Sequence, residues 1–221
     1  MNNFIATLYI CEITNVDIDA NILGTIPEDR GNRIMQTVKH EKAKQLYVAS
    51  LLLGYVLSQY DVAFEDIKTT KNGKPYVEFG PCFNVSHSGK YVVVAIANKE
   101  IGVDIQEKIF ISNVIAKSFL GIEENVILPL EDKYYQIYIW CRKEALLKCL
   151  GTGWNKEDVS EISVLDSKIE YNGIKYYLTD YAILENYFLT LCEKDIHKEF
   201  SIREVSKCEL ELFYRTNKRI D

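Results

Sequence analysis

The run from Glu131 to Leu150, EDKYYQIYIWCRKEALLKCL, constrains this chain more than any other. At about 100° per residue, Ile137, Trp140, Cys141, Glu144, Leu147 and Lys148 share one face of a helix. Ile139, Leu146 and Leu150 give it a second apolar face. A helix apolar nearly all round is buried on more than one side, so the fold has to pack layers around it. Gly151-Thr152-Gly153 supplies its C-cap. Glu144 sits among the apolar residues, and burying a lone carboxylate is costly without a partner or a metal. An i,i+4 pair with Lys148 is one account, worth only ~0.2–0.5 kcal/mol on an exposed helix. It leaves the apolar neighbours unexplained.

The rest of the chain supplies strands and a second helix. Phe4 to Ile13 reads as a strand, and Asn21 to Gly31 as a looser stretch. From about Arg33 to Gln59, Leu46, Ala49, Leu53, Val56 and Leu57 recur at helical spacing. Asn72-Gly73 marks a tight turn ahead of Pro75. Phe83 to Val85 reads as a short strand leading into a polar turn, Ser86-His87-Ser88-Gly89. Tyr91 to Ala97 is a continuous apolar strand, and Ile101 to Ile105 reads as its hairpin partner. Alternation then sets Gly102, Asp104 and Gln106 on one face, opposite Val103 and Ile105. A helical segment spans about Ser112 to Leu120. Asn172-Gly173 marks another hairpin, and Tyr187 to Cys192 and Cys208 to Tyr214 read as strands. Both halves thus run strand, helix, Asn-Gly hairpin, strands. The expectation is an α+β fold of two similar α/β lobes, divided into residues 1–105 and 106–221 and meeting at a tight interface where a site can form.

Composition bounds the function. With 221 residues, 48 % hydrophobic and 26 % charged, the chain has the make-up of a soluble globule. A net charge of −6 argues against a general nucleic-acid binder but leaves room for a local basic pocket for a phosphorylated ligand. The six cysteines include no CxxC pair, which points away from a zinc or redox centre and toward a reducing, cytoplasmic setting. No apolar run approaches the ~20 residues of a membrane helix, and the N-terminus lacks the pattern of a signal peptide.

Three further groups can carry chemistry. Asp104, at a strand end, can join Glu144 in holding one Mg²⁺, which takes oxygen ligands and grips phosphates. The Ser86-His87 turn can offer hydroxyls, backbone N–H groups and, when protonated, an imidazolium to an anion. Lys74, on the Asn-Gly turn, is a cation of the kind that most proteins leave in solvent. A Ser/His hydrolase would need a nucleophile elbow of the G-x-S-x-G type, and none accompanies Ser86 or Ser88.

In this order the motifs resemble those of the 4′-phosphopantetheinyl transferases of the surfactin-synthetase-activating type. They are Gly73-Lys74-Pro75, Phe83-Asn84-Val85-Ser86-His87-Ser88, Ile101-Gly102-Val103-Asp104-Ile105-Gln106 and Trp140 to Lys148. The resemblance implies a pseudo-two-fold pair of lobes and a Mg²⁺-dependent transfer of the phosphopantetheine arm of coenzyme A to a serine of an apo acyl or peptidyl carrier protein. It implies a monomer that releases 3′,5′-ADP. It also implies roles: Asp104 and Glu144 at the metal, Glu144 as the base, and Lys148 on the phosphates with Lys143 close to the reacting groups. Ser86 and His87 would meet the 3′-phosphate, and Lys74 and Pro75 would line the adenine side.

Two departures stand out. The metal strand of the family ends D-x-E, where this chain has Asp104-Ile105-Gln106. A Gln amide oxygen can ligate Mg²⁺ or hold one of its waters, but brings no charge. The helix near residue 45 carries Gln45 where the family has an Arg for the 3′-phosphate, with Lys44 beside it, Lys42 two residues before Lys44, and Arg30 and Arg33 upstream. These departures favour one rival, a non-catalytic binder of coenzyme A or a carrier. A second rival is a Mg²⁺-dependent coenzyme A phosphohydrolase. The segment Ile122 to Leu130 is the expected docking surface for a carrier helix.

Overall fold

A computed structural model describes residues 6–126, 134–154, 159–194 and 200–217. The first lobe opens with β1 (Ala6–Glu12), α1 (Ala20–Leu23), α2 (Glu28–Met35) and α3 (His40–Ser58). The β2 (Ile67–Thr69) and β3 (Pro75–Val77) hairpin follows, then β4 (Cys82–Ser88) and β5 (Tyr91–Ala97). The second lobe holds β6 (Ile101–Glu107), α4 (Asn113–Ala116), α5 (Ile122–Val126), α6 (Tyr135–Leu150), β7 (Lys168–Tyr171), β8 (Ile174–Asp180) and β9 (Tyr187–Glu193). The chain then returns to the first lobe with β10 (Phe200–Glu204) and α7 (Lys207–Thr216).

The order of strands is β10-β1-β5-β4 in one sheet and β6-β9-β8-β7 in the other. β5 and β6 therefore do not form the expected hairpin. The chain crosses between sheets at residues 98–100, and β6 pairs with β9 instead. A cut between residues 105 and 106 is likewise not how the sheets divide the chain, because β10 pairs in parallel with β1. The helix-then-hairpin order does recur: α3 precedes β2–β3, and α6 precedes β7–β8. In the second of these hairpins Asn172 and Gly173 both take positive φ, 50° and 73°, as a two-residue type I′ turn requires.

Alternation along the strands explains the layers. Val92, Val94 and Ile96 pack against α3, while Val93, Ala95 and Ala97 of the same strand face Ile101, Val103 and Ile105 of β6. β5 is thus buried on both faces, which is why it reads as an unbroken apolar run. The core shared by the two sheets lies between them, with α3 covering one and α6 the other. Gly102 sets the spacing at α6: a Cβ there would lie 2.1 Å from the carbonyl oxygen of Ala145. Only glycine lets the Asp104 strand approach the Glu144 helix so closely.

Three local expectations are revised. Ser86 to Ser88 belong to β4, and the turn falls at Gly89, whose φ is 49°. Residues 20–35 form two short helices, with α3 starting only at His40. Cys208 to Tyr214 is helix, not strand: the Ser206 side chain caps it by accepting from the N–H of Glu209, and Leu210 and Tyr214 turn inward one helical turn apart. Of the proposed docking segment, Ile122 and Val126 in α5 are exposed, and residues 127–130 lie outside the described residues. The same holds for the expected start of the long helix at residues 131–133.

Candidate active site

The two lobes meet along β4 and β6, which are joined by side chains instead of a backbone ladder. Asn84 Oδ1 accepts from the N–H of Val103 at 3.0 Å, Ser86 Oγ from that of Ile105 at 3.4 Å, and Ser88 Oγ from that of Glu107 at 3.0 Å. Residues two apart on a strand share a direction, so the polar Asn-x-Ser-x-Ser pattern places a row of acceptors against the next lobe. This is the structural content of the polar stretch that reads from sequence as a turn.

The seam delivers Ser86 to Asp104. That carboxylate is 1 % exposed, and both its oxygens are engaged. Oδ1 accepts from Ser86 Oγ at 2.7 Å and from Lys148 Nζ at 2.5 Å, and Oδ2 accepts from Gln106 Nε2 at 2.8 Å. Lys148 also donates to Ser86 Oγ at 2.9 Å. The i,i+4 pair with Glu144, one of the accounts open to Lys148 from sequence, is therefore not where the lysine goes. It crosses to the strand, with its side chain about a quarter exposed.

Glu144 stands one turn earlier on α6. Its Oε1 accepts the indole N–H of Trp154, and the Trp154 ring stacks on Trp140 with centroids 4.4 Å apart. Gly151, with φ at 70°, ends the helix in the left-handed cap that turns the chain back toward this face. Burial among the two indoles pushes the Glu144 carboxyl above its usual range, and the Asp104 charge adds to this, while Lys148 and the Trp154 hydrogen bond oppose it. Such a shift moves a carboxylate toward the range of a general base.

A cavity of about 230 Å³ opens beside this group, walled by Glu144, Lys148 and Trp154 on one side and Gly73, Lys74 and Pro75 on the other. A second cavity, of about 410 Å³, is lined by Arg30, Arg33, Leu46 and His87. The two share Gly73, Pro75 and Val85 as walls. Together they outline an elongated site with Arg30, Arg33 and His87 toward one end and Glu144 and Lys148 at the other, where Lys148 bonds the buried Asp104. Lys42 Nζ lies 3.3 Å from His87 Nε2. Burial and that neighbouring charge push the His87 imidazole down to about 4, so it is neutral near pH 7.

Several residues expected to serve the site are engaged differently. Lys143 is not near the reacting groups: it is sealed in the second lobe, 2.9 Å from Glu124 Oε2, and donates to the carbonyls of Val159 and Ile162. A side chain one position before Glu144 projects about 100° away around the helix, which takes it off the cleft. Gln45 donates to the carbonyl of Gly89 and so braces the β4–β5 turn. Lys44 pairs with Glu41 at 3.5 Å. Ser86 serves Asp104 and the seam. Lys74 lines the smaller cavity, but its ammonium binds Glu100 at 2.6 Å and the Cys149 carbonyl at 2.9 Å, tying the β2–β3 hairpin to the last turn of α6. Trp154 is the residue that sequence reasoning missed, and of the basic residues that it named near Gln45, Lys42 is the one that meets His87. Lys42 precedes Leu46 by one turn and so shares the stripe of α3 that Leu46, Ala49 and Leu53 present to the larger cavity. Among the described residues, no group of three His, Cys, Asp or Glu side chains is placed to hold a metal ion.

Comparison with known proteins agrees with this layout. A family model described as 4′-phosphopantetheinyl transferase, N-terminal, matches residues 18–99. A second, described as the 4′-phosphopantetheinyl transferase superfamily, matches residues 100–192. The two meet where the chain crosses between sheets. The 4′-phosphopantetheinyl transferase gsp of Aneurinibacillus migulanus is 30 % identical over 148 residues, covering 62 % of this chain and 62 % of that protein. The 4′-phosphopantetheinyl transferase Sfp of Bacillus subtilis (strain 168) is 33 % identical over 149 residues, covering 58 % and 66 %. An L-aminoadipate-semialdehyde dehydrogenase-phosphopantetheinyl transferase of Xenopus laevis is 26 % identical over 210 residues, covering 81 % and 68 %. The chain thus spans less than two thirds of the length of the gsp and Sfp relatives.

Proposed function

The chain belongs to the 4′-phosphopantetheinyl transferase superfamily, and on that premise we propose that it moves the phosphopantetheine arm of coenzyme A onto a serine of an apo acyl or peptidyl carrier protein, releasing 3′,5′-ADP. We read it as a monomeric cytoplasmic enzyme. Among the described residues, no helix is long and apolar enough to cross a membrane.

The observation that carries this reading is a cavity walled by Glu144 and by Lys148, the lysine bonded to buried Asp104, that adjoins a second cavity lined by Arg30, Arg33 and His87, with Lys42 beside the histidine. Coenzyme A is long and carries phosphates at separate points, so it suits a groove with cations at more than one place along it. Neutral His87 beside Lys42 is poised for a 3′-phosphate, whose charge would draw a proton onto the imidazole. Lys148 can follow the pyrophosphate because its side chain is partly exposed. Glu144, desolvated and steered by Trp154, takes the proton from the carrier serine as its oxygen attacks phosphorus. Asp104, held by Ser86 and the seam, fixes the position of the opposing charge.

The donor set fits Mg²⁺: two carboxylates, with the Asp104 charge adding to the cost of ionising Glu144, plus an amide whose oxygen is a hard ligand. Asp104 and Glu144 would hold it, with Gln106 or water completing the set. Bound there, Mg²⁺ supplies neutralisation of charge at the pyrophosphate and on the departing nucleotide.

Release of 3′,5′-ADP, followed by chromatography with and without an apo carrier protein, tests the proposal. Release only with the carrier present is expected. Release without it would favour the phosphohydrolase. Coenzyme A binding with no release across several carriers would favour the non-catalytic binder, the reading that Gln106 in place of an acidic residue supports.

A further inference from the structure

Asp104 in this structure lacks nothing that a buried carboxylate needs. Ser86 and Lys148 serve one oxygen and Gln106 the other. Oδ1 has both acceptor positions filled, so a metal that binds there must displace Ser86 or Lys148. The three partners differ in freedom. Ser86 is 6 % exposed and tied into the lobe seam through Ile105. Gln106 is two residues along the same strand and half-buried. Lys148 comes from another element, at the last turn of α6, on a long stem with its side chain 26 % exposed. It is also the only one of the three that carries positive charge, so it alone is repelled by an arriving cation.

We propose that Lys148 is the resident cation of the metal-free cleft, and that divalent metal and Lys148 exclude one another at Asp104. Metal loading then does two things at once: it occupies the carboxylates, and it frees the lysine for the substrate phosphates. Gln106 gives the arrangement its balance. With Asp104 and Glu144 as the two carboxylates of the cleft, one ammonium offsets much of their charge, and the neutral amide adds a donor to Asp104 without adding charge. A third carboxylate at position 106 would leave the metal-free cleft with more uncompensated negative charge. Lys148 is thus both a self-inhibitor of metal binding and a group delivered to the substrate by that binding. This rests on the Mg²⁺-dependent reading above.

Two measurements without coenzyme A test it. Isothermal calorimetry compares Mg²⁺ binding to the wild type and to Lys148→Met. The variant should bind at least tenfold more tightly, and equal or weaker binding would overturn the proposal. Should that variant fail to fold, the wild type alone suffices. Acylation of its lysines, mapped by mass spectrometry, should modify Lys148 several-fold faster with Mg²⁺ than without. An unchanged or slower rate would overturn the proposal. The two readings fail separately. If Mg²⁺ neither binds nor affects Lys148 while a carrier still elicits 3′,5′-ADP, only the exclusion falls. If the exclusion is measured and no carrier is modified, only the transferase assignment falls.

Discussion

Lys143 and Lys148 lie about 140° apart around α6, and each meets a buried carboxylate. The Lys143–Glu124 pair is closed on all sides: both side chains are 1 % exposed or less, Glu124 also accepts from the N–H groups of Gly121 and Val164, and Lys143 donates to two carbonyls. The Lys148–Asp104 pair is shorter, at 2.5 Å, but its lysine forms part of a cavity wall. One pair anchors α5 to α6 under a surface, and the other holds charge at a place where ligand can arrive. Two lysines of one motif therefore do different work, and what separates them is access, not chemistry.

The sharpest way to break this comparison is to remove each lysine in turn. Lys148→Met should lower carrier modification by ~10²–10³-fold, the scale of losing one charged stabiliser at a reacting phosphate, with the protein still folded. Lys143→Met should instead leave Glu124 buried and unpaired, costing ~3–5 kcal/mol in denaturant unfolding, while transfer per folded molecule stays within about twofold. Loss of transfer with stability retained would place Lys143 in the site after all. Gly102→Ala comes next. Its Cβ would press on the α6 backbone at Ala145, costing ~1–3 kcal/mol. It should also loosen Lys148 from Asp104 more than Lys143 from Glu124, read as faster acylation of Lys148.

The smallest effect concerns His87. Its folded pKa of about 4 lies below the ordinary value of 6.5, so the unfolded chain binds more protons between those values. The stability that neutral His87 contributes is present above pH 6.5 and is lost as pH falls toward 4, with a slope no steeper than ~1.4 kcal/mol per pH unit. His87→Gln should flatten unfolding free energy against pH in that window. Coenzyme A should shift the window upward, as measured by the histidine's NMR titration, because its phosphate favours the protonated ring.

Much of this site is legible in the sequence. The all-round apolar helix did require a sheet and further layers, and Glu144 did need partners among its apolar neighbours. The Asn172-Gly173 turn and the faces of β6 also came through, since short-range backbone preference and strand alternation determine them. What escaped was long-range. The crossing from β5 to β6 looks like a hairpin turn because a chain reversal and a change of sheet use the same polar residues. β10 is mostly exposed and has no apolar pattern to announce it. Cys208, Leu210, Leu212 and Tyr214 mimic strand alternation, yet Leu212 is 65 % exposed and the helix cap at Ser206 decides the outcome. The division of labour between Lys143 and Lys148 depends on Glu124 and Asp104, carboxylates far off in sequence, which no local spacing reveals.

The intact mass of an apo carrier protein, taken after incubation with this protein, coenzyme A and Mg²⁺, tests the central claim most directly. The account predicts a gain of one phosphopantetheinyl group on a serine, and no gain with Glu144→Gln, which keeps the fold but removes the base. An unmodified carrier across acyl and peptidyl types, or equal modification by Glu144→Gln, would contradict it.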